Sequence, residues 1–301
     1  MRPLAWSLAL FLALLSRDVC GAQATDTGDS SSADALVPHR PIPGAAAAGT
    51  PLRRCASPAL LGTAWPEADV LFHRDARWLG ADAAYSIPLD DGRIFWLFGD
   101  TFVARTAALR RSESRVVRNT VAVQRGADPA RAEMQFAWRG TTASPSSFFA
   151  EEGDRWYWPA HGIRLGRTLV VFLRRLKPTP GQGLGFAVEG WRAAIVDDAS
   201  SDPLSWSVRV VAPSSAPQGI VISGGVFPDP DGAHVLAMAE NVSADHRGFL
   251  VRWRIDDLAA GRLDAADWWT DRGWVAQASL GGAPAAILSD AGPESSFHQG
   301  D

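Results

Sequence analysis

The chain has 301 residues, with 29 basic against 33 acidic, a formal net charge of −4, 47% hydrophobic and 21% charged residues. This is the composition of a chain that folds around a core, and its length fits two domains of roughly 150 residues or one large all-β unit. No basic excess is available to neutralise phosphates, which excludes a dedicated nucleic-acid binder, and no polybasic stretch is present to anchor a membrane surface. Lys177 is the single lysine; every other basic residue is arginine. Thirteen Trp stand against two Tyr, and Trp packs flat against sugar rings as well as inside cores.

Residues 1–24 read as a secretory signal peptide. Met1-Arg2 starts a short basic region, Leu4 to Leu15 is an apolar run too short to span a bilayer, and Ala22-Gln23-Ala24 offers a cleavage site. Lipid attachment at Cys20 is the alternative, but Arg17-Asp18-Val19 lack the small residues such a signal needs. The expected location is therefore secreted or periplasmic, without stable membrane insertion. Removal of the leader leaves one cysteine, Cys55, and so no internal disulfide. Residues 25–58 form a polar, Pro- and Ala-rich lead-in, and residues 59–301 form the folded domain.

Within that domain a hairpin pattern recurs. Tyr85–Leu89 turns at Asp90-Asp91-Gly92 into Arg93–Asp100, Tyr157–Arg164 turns at Leu165-Gly166-Arg167 into Thr168–Leu173, and Ile222–Phe227 turns at Pro230-Asp231-Gly232 into His234–Ala239. A fourth copy starts at Glu294-Ser295-Ser296-Phe297. Between the hairpins lie further strand candidates: Asn119–Val123 and Met134–Trp138, then Trp191–Val196 and Trp206–Val211, then Phe249–Ile255 and Trp268–Val275. About four strands per interval of about 70 residues is the arithmetic of a β-propeller blade. The expected fold is thus all-β, a β-propeller, with Ile255–Leu263 as the one helix candidate. The chain stops inside the fourth hairpin, so the sequence reads as truncated before its last blades.

The ends of the innermost strands are where polar groups converge in such a ring. That singles out Asp82, at the start of the first hairpin strand, and Asp100, which closes the second after five apolar residues and Gly99. Each has a plainer reading, a turn for Asp82 and a cap on the Thr101 or Phe102 backbone for Asp100. Two carboxylates facing one cleft are the minimum needed to break a glycosidic bond. Glu294 is the third acidic candidate. Asn119, His161 and Trp158 are candidate substrate contacts, His161 because Ala160 and Gly162 leave room beside it, and Trp158 as a stacking platform. For the aromatic cluster of Phe148, Phe149 and Trp156–Trp158, packing between sheets is the competing explanation, as it is for Trp268-Trp269. No phosphate loop, nucleophile elbow, zinc set or complete calcium loop is present, so no metal or cofactor is expected.

The stretch Asp82…Ile87-Pro88-Leu89…Asp91-Gly92-Arg93…Trp96-Leu97-Phe98-Gly99-Asp100-Thr101-Phe102, followed by Arg118-Asn119-Thr120, resembles a bacterial family of domains of unknown function. The Tyr157-Trp158-Pro159…Gly162 and Glu294-Ser295-Ser296 segments fit it too. That family is similar to five-bladed propeller glycosidases, some of whose members are endo-D-arabinanases. The resemblance implies that Asp82 and Asp100 are the catalytic carboxylates. It departs at His161, where relatives carry an acidic residue. The expected function is hydrolysis of a polysaccharide, arabinan among the candidates, by a monomer; a non-catalytic carbohydrate-binding propeller is the rival, and a non-functional fragment the third reading.

Overall fold

The computed structural model describes residues 63–242 and 245–289. The signal peptide, the lead-in to residue 58 and the fourth hairpin with Glu294 lie outside the described residues. From Trp65 onward the chain forms one unit. It is built of short and long antiparallel strands with two short helices, as the all-β expectation holds.

Helix α1 (Pro66–Leu71) comes first, with Pro66 in the first turn, where the N–H it lacks would have no helical partner anyway. Seven strands follow: β1 (Trp78–Ala81), β2 (Tyr85–Pro88), β3 (Arg93–Phe98), β4 (Thr101–Ala104), β5 (Ser114–Val117), β6 (Thr120–Arg125) and β7 (Glu133–Ala137). They form two sheets, β2-β3-β6-β7 and β1-β4-β5. Strands β8 (Arg139–Gly140) and β9 (Pro145–Ser146) make a small ribbon. The next sheet runs β10 (Trp156–Leu165), β11 (Thr168–Pro178), β12 (Phe186–Val196), β13 (Arg209–Val211). The last runs β14 (Ile220–Pro228), β15 (His234–Asn241), β16 (Gly248–Arg254), β17 (Asp267–Thr270), β18 (Gly273–Ala276), with α2 (Ile255–Ala259) between β16 and β17.

All three expected hairpins form, as β2–β3, β10–β11 and β14–β15. Their turns need positive φ, and Gly92, Gly166 and Gly232 supply it at 74°, 61° and 68°. Several details differ from the expectation. Trp206 ends a 3-10 turn whose start is capped by Asp202, so β13 begins only at Arg209. Trp268–Val275 is a hairpin of two strands rather than one strand. The helix after β16 stops at Ala259, and Leu263–Ala265 is a separate 3-10 turn. The sheet β1-β4-β5 and helix α1 were not expected at all.

Strand β11 explains why its sequence is apolar without alternation. Val170 and Phe172 enter one core, with Trp191, Trp253 and Trp268, while Leu169, Val171 and Leu173 enter another, with Phe95, Phe148 and Tyr157. Both faces of the second sheet are therefore covered. Trp191, Trp206, Trp253 and Trp268 fill these cores: Trp253 stacks on Phe172 at 5.4 Å, and Trp268 is fully buried with its indole N–H on Gln277. Trp269 remains partly exposed against Trp274.

The first strands of the three sheets lie next to one another, β10 against both β2 and β14. Gly162 makes this approach possible. A Cβ there would stand 2.4 Å from the Val170 carbonyl oxygen and 2.8 Å from Ile87 Cδ1. The room expected from Gly162 is thus taken by Ile87 of β2. At the other sheet junction Arg174 (β11) meets Glu240 (β15) at 2.8 Å, their side chains only 9% and 7% exposed.

Candidate functional site

Asp82, Asp100 and Arg118 fall in one row across three strand lines. The pairing Ala81↔Thr101 of β1 with β4 and the pairing Tyr85↔Leu97 of β2 with β3 keep the same register through the gap between them. That register sets Asp82 opposite Asp100. Likewise Phe98↔Thr120 of β3 with β6 and Thr101↔Val117 of β4 with β5 set Asp100 opposite Arg118. One long ribbon leaves the first sheet and enters the β1-β4-β5 sheet, and the three charged residues sit where it breaks.

The hydrogen bonds show a bulge at this point: the Asp82 N–H donates to the Asp100 carbonyl at 3.0 Å, but it is the Gly99 N–H that donates to the Asp82 carbonyl at 2.8 Å, so Gly99 and Asp100 together oppose Asp82. Asp82 is followed by Ala83 at φ 57°, a left-handed conformation that costs an Ala about 1–2 kcal/mol and bends β1 away from β2. A buried chain of donors holds the break on the other line: the Trp78 indole N–H meets Thr120 Oγ1 at 3.1 Å, Thr120 and Thr101 share a hydrogen bond at 3.0 Å, and the Thr101 hydroxyl donates to the Gly99 carbonyl at 2.8 Å. These bonds satisfy groups that a regular ladder would have paired.

Asp100 is half-buried, and both its oxygens accept hydrogens. Arg118 Nη1 donates to Oδ2 at 3.2 Å, and Trp158 Nε1 donates to Oδ1 at 2.8 Å. The cap on Thr101 or Phe102 is not what this side chain forms. Arg118 also lies over the Trp156 ring, 4.4 Å from its centroid, and Trp158 meets the edge of Phe186 at 4.9 Å. The site thus joins the first sheet to the start of β10. Arg118 escaped the sequence reading, which chose its neighbour Asn119. The available signal was register, since a hairpin pairing of Phe98 with Thr120 puts Arg118 across from Asp100.

Asn119 is fully buried. Its amide accepts from the Phe149 N–H at 2.7 Å and donates to the carbonyls of Phe149 and Tyr157 at 3.2 and 2.9 Å. It acts on the site by fixing the backbone that presents Trp158, with no atom turned to a ligand. His161 is partly exposed; its Nδ1 accepts from the Val226 N–H at 3.4 Å, and its ring meets Tyr85 edge-on at 5.8 Å. It links the first strands of all three sheets. Glu294 lies outside the described residues.

Beside the site, the buried Tyr157 hydroxyl donates to Glu152. Burial, reinforced by Glu152, pushes the Tyr157 phenol up to about 12, and the hydrogen bond from Tyr157, joined by the charge of nearby Arg175, holds Glu152 below the ordinary carboxylate range against the opposing effect of burial. Among the described residues one group has metal-ligand spacing: Asp229, Asp231 and His234, in the β14–β15 turn, with ligand atoms within 4.8 Å. These atoms close the turn. Asp231 accepts from the N–H groups of Ala233 and His234 and contacts the His234 ring at 2.5 Å, while Asp229 faces Arg252 at 3.9 Å.

Comparison with known proteins gives a family and solved structures of similar fold. The family described as a domain of unknown function, DUF5005, matches residues 67–284. A crystal structure of a candidate hydrolase from Bacteroides ovatus ATCC 8483 is similar over 70% of this chain, with a TM-score of 0.54 and 15% identity. This chain spans 57% of that protein, and the likeness is one of fold. No curated protein matches the sequence.

Proposed function

Because this chain belongs to the DUF5005 family, whose function is unknown, its activity has to be argued from the site, and we propose that it is a secreted glycoside hydrolase that cleaves a polysaccharide with Asp82 and Asp100. The observation that carries the reading is the backbone pairing of these two carboxylate-bearing residues at a strand break, one exposed and one anchored by Arg118 and Trp158. Facing residues have Cα atoms about 4.5–5.5 Å apart. From there, two carboxyl groups reach either the ~5–5.5 Å of a retaining pair or, splayed apart, the ~6.5–9.5 Å of an inverting one. Asp100, whose oxygens both accept hydrogens, takes the part of base or nucleophile, and Asp82 that of the acid. Trp158 and His161 border the sugar, and Asn119 acts through the backbone of Tyr157. Glu294 remains a third acidic candidate.

The sheets are read as blades of a five-bladed propeller. Support comes from three meanders of at least four strands whose first strands adjoin, as strands around a common axis would. The name of the Bacteroides relative supports hydrolysis as the reaction class. Arabinan as substrate rests on the Leu97–Thr101 resemblance. A second reading, a carbohydrate-binding protein without turnover, is favoured by one fact: Asp100 already has a partner on each oxygen.

The experiment is a screen for reducing ends released from arabinan and other plant and bacterial wall polysaccharides. Asp82→Asn and Asp100→Asn each lower turnover about 10²–10⁴-fold while substrate binding persists. Binding without release by the unaltered protein would establish the second reading.

A further inference from the structure

The β1-β4-β5 sheet carries a positive charge with no matching acid among the described residues. Residues 101–117, which form β4, β5 and the excursion between them, hold four arginines against one acid, on a chain whose formal net charge is −4. Arg105, Arg110, Arg111 and Arg115 are all exposed, and none makes an ion pair among the described residues. The one acid, Glu113, takes the Thr106 hydroxyl instead, at 2.9 Å, and Arg105 reaches only the Glu113 carbonyl. On the later sheets, by contrast, Arg155, Arg174, Arg175 and Arg252 are each held by a carboxylate.

Arg111 shows how this charge is displayed. Its Nε and Nη2 both donate to the Leu79 carbonyl, at 3.3 and 3.1 Å, and its guanidinium lies over the Phe102 ring, 5.0 Å from the centroid. Gly80 leaves the space for it, since a Cβ there would stand 2.7 Å from Nη2. A cation resting on a carbonyl and a ring keeps its charge for a partner from outside. Val116, paired with Phe102, is 42% exposed and adds apolar surface of the kind a sugar face covers. Thr101 and Val117 are buried while Phe102 and Val116 are not, so the exposed side of this ribbon continues into Asp100 and Arg118. Two residues along a strand span about 7 Å. That is within the ~8–10 Å over which physiological salt screens a charge.

We propose that the exposed side of β4 and β5 is a docking surface for an anionic polysaccharide, with Arg111 and the neighbouring arginines taking its acidic groups beside Asp82 and Asp100. The inference rests on the glycan reading above and adds to it the charge of the substrate. Two carboxylates at the site repel a polyanion, and a cationic approach next to them offsets that repulsion. Charge complementarity selects this occupant over a neutral glycan, and continuity with the carboxylate pair selects a glycan among polyanions.

The test is calorimetric titration of the full chain with oligogalacturonate, an uncharged oligogalactose of the same length, and single-stranded DNA of the same charge. Oligogalacturonate binds about 10-fold or more tightly than oligogalactose, and its affinity falls about 5-fold or more as salt rises from about 50 to about 200 mM. Arg110→Gln combined with Arg111→Gln weakens it about 10-fold or more, and Arg111→Lys alone weakens it less. Arg272→Gln, the same kind of charge change on the exposed β17–β18 turn, weakens it less than about 2-fold. Thermal melts confirm that each variant is folded. If the first pair does not fold, Arg110→Gln combined with Arg115→Gln decides, since neither guanidinium has a hydrogen bond to lose among the described residues. Equal affinity for the charged and uncharged oligosaccharides overturns the proposal, as does DNA binding as tightly as oligogalacturonate, or arginine variants that bind normally. Asp82→Asn stops hydrolysis without loosening oligogalacturonate, so binding with no glycan cleaved would defeat the enzymatic reading and leave the docking surface standing. Cleavage of neutral arabinan alone, untouched by the arginine variants, would do the reverse.

Discussion

The second sheet and the ribbon that carries Asp82, Asp100 and Arg118 are built on different principles. Strands β10 to β12 run 10 or 11 residues each, and the sheet they build is covered on both faces. The ribbon strands β1 to β6 run four to six residues and switch sheets midway. Apolar burial fixes the former; the buried Trp78, Thr120 and Thr101 hydrogen bonds fix the latter. The contrast teaches that the proposed reactive groups sit where the ladder is interrupted, because an uninterrupted, fully covered strand has no place for an exposed carboxylate.

Variants can break or sharpen this contrast. The largest effect on stability is expected from Glu240→Leu. Removing one partner of the buried Arg174–Glu240 pair leaves a charge uncompensated and costs about 3–5 kcal/mol, while adding Arg174→Leu recovers most of it. Urea unfolding checks both. Asp100→Asn, by contrast, loses a partly exposed ion pair worth less than about 1 kcal/mol, so a destabilisation as large as that of Glu240→Leu would make Asp100 a structural residue.

A middle effect is expected from Gly162→Ala. Its new methyl group meets Val170 and Ile87 and lowers stability by about 1–3 kcal/mol, read as a lower Tm, and Ile87→Val relieves part of the loss. An unchanged Tm would mean that β10 and β2 are free to separate.

The smallest effect is a pH dependence. Tyr157, raised to about 12 in the folded chain, contributes stability that is complete below the unfolded phenol value near 10 and is lost as pH climbs through about 12. Absorbance at the phenolate band, with only two Tyr to titrate, shows a late component near pH 12 that Tyr157→Phe removes. A titration complete by about pH 10 contradicts the buried Tyr157–Glu152 contact.

Much of the scaffold was legible because its signals are local. Gly92, Gly166 and Gly232 stand between apolar runs at turns that need positive φ. The site was legible only in part. Asp82 and Asp100 stood out as carboxylates at strand ends, and their backbones are hydrogen-bonded to each other. Arg118 did not, because its role depends on register between strands separated by the whole β4–β5 excursion. Asn119 looked like a sugar contact since composition cannot tell an amide that binds a ligand from one that ties Phe149 to Tyr157. The β1-β4-β5 sheet was missed because Thr101–Ala104 reads as a continuation of β3.

One residue of the second sheet gives these ideas a practical handle. Lys177, the single lysine, pairs with Ala187 near the end of β11, next to Phe186, which touches Trp158. An amine-reactive fluorophore will therefore attach to one known side chain besides the amino terminus, and its emission tests whether the proposed glycan arrives beside Trp158 without any engineered cysteine.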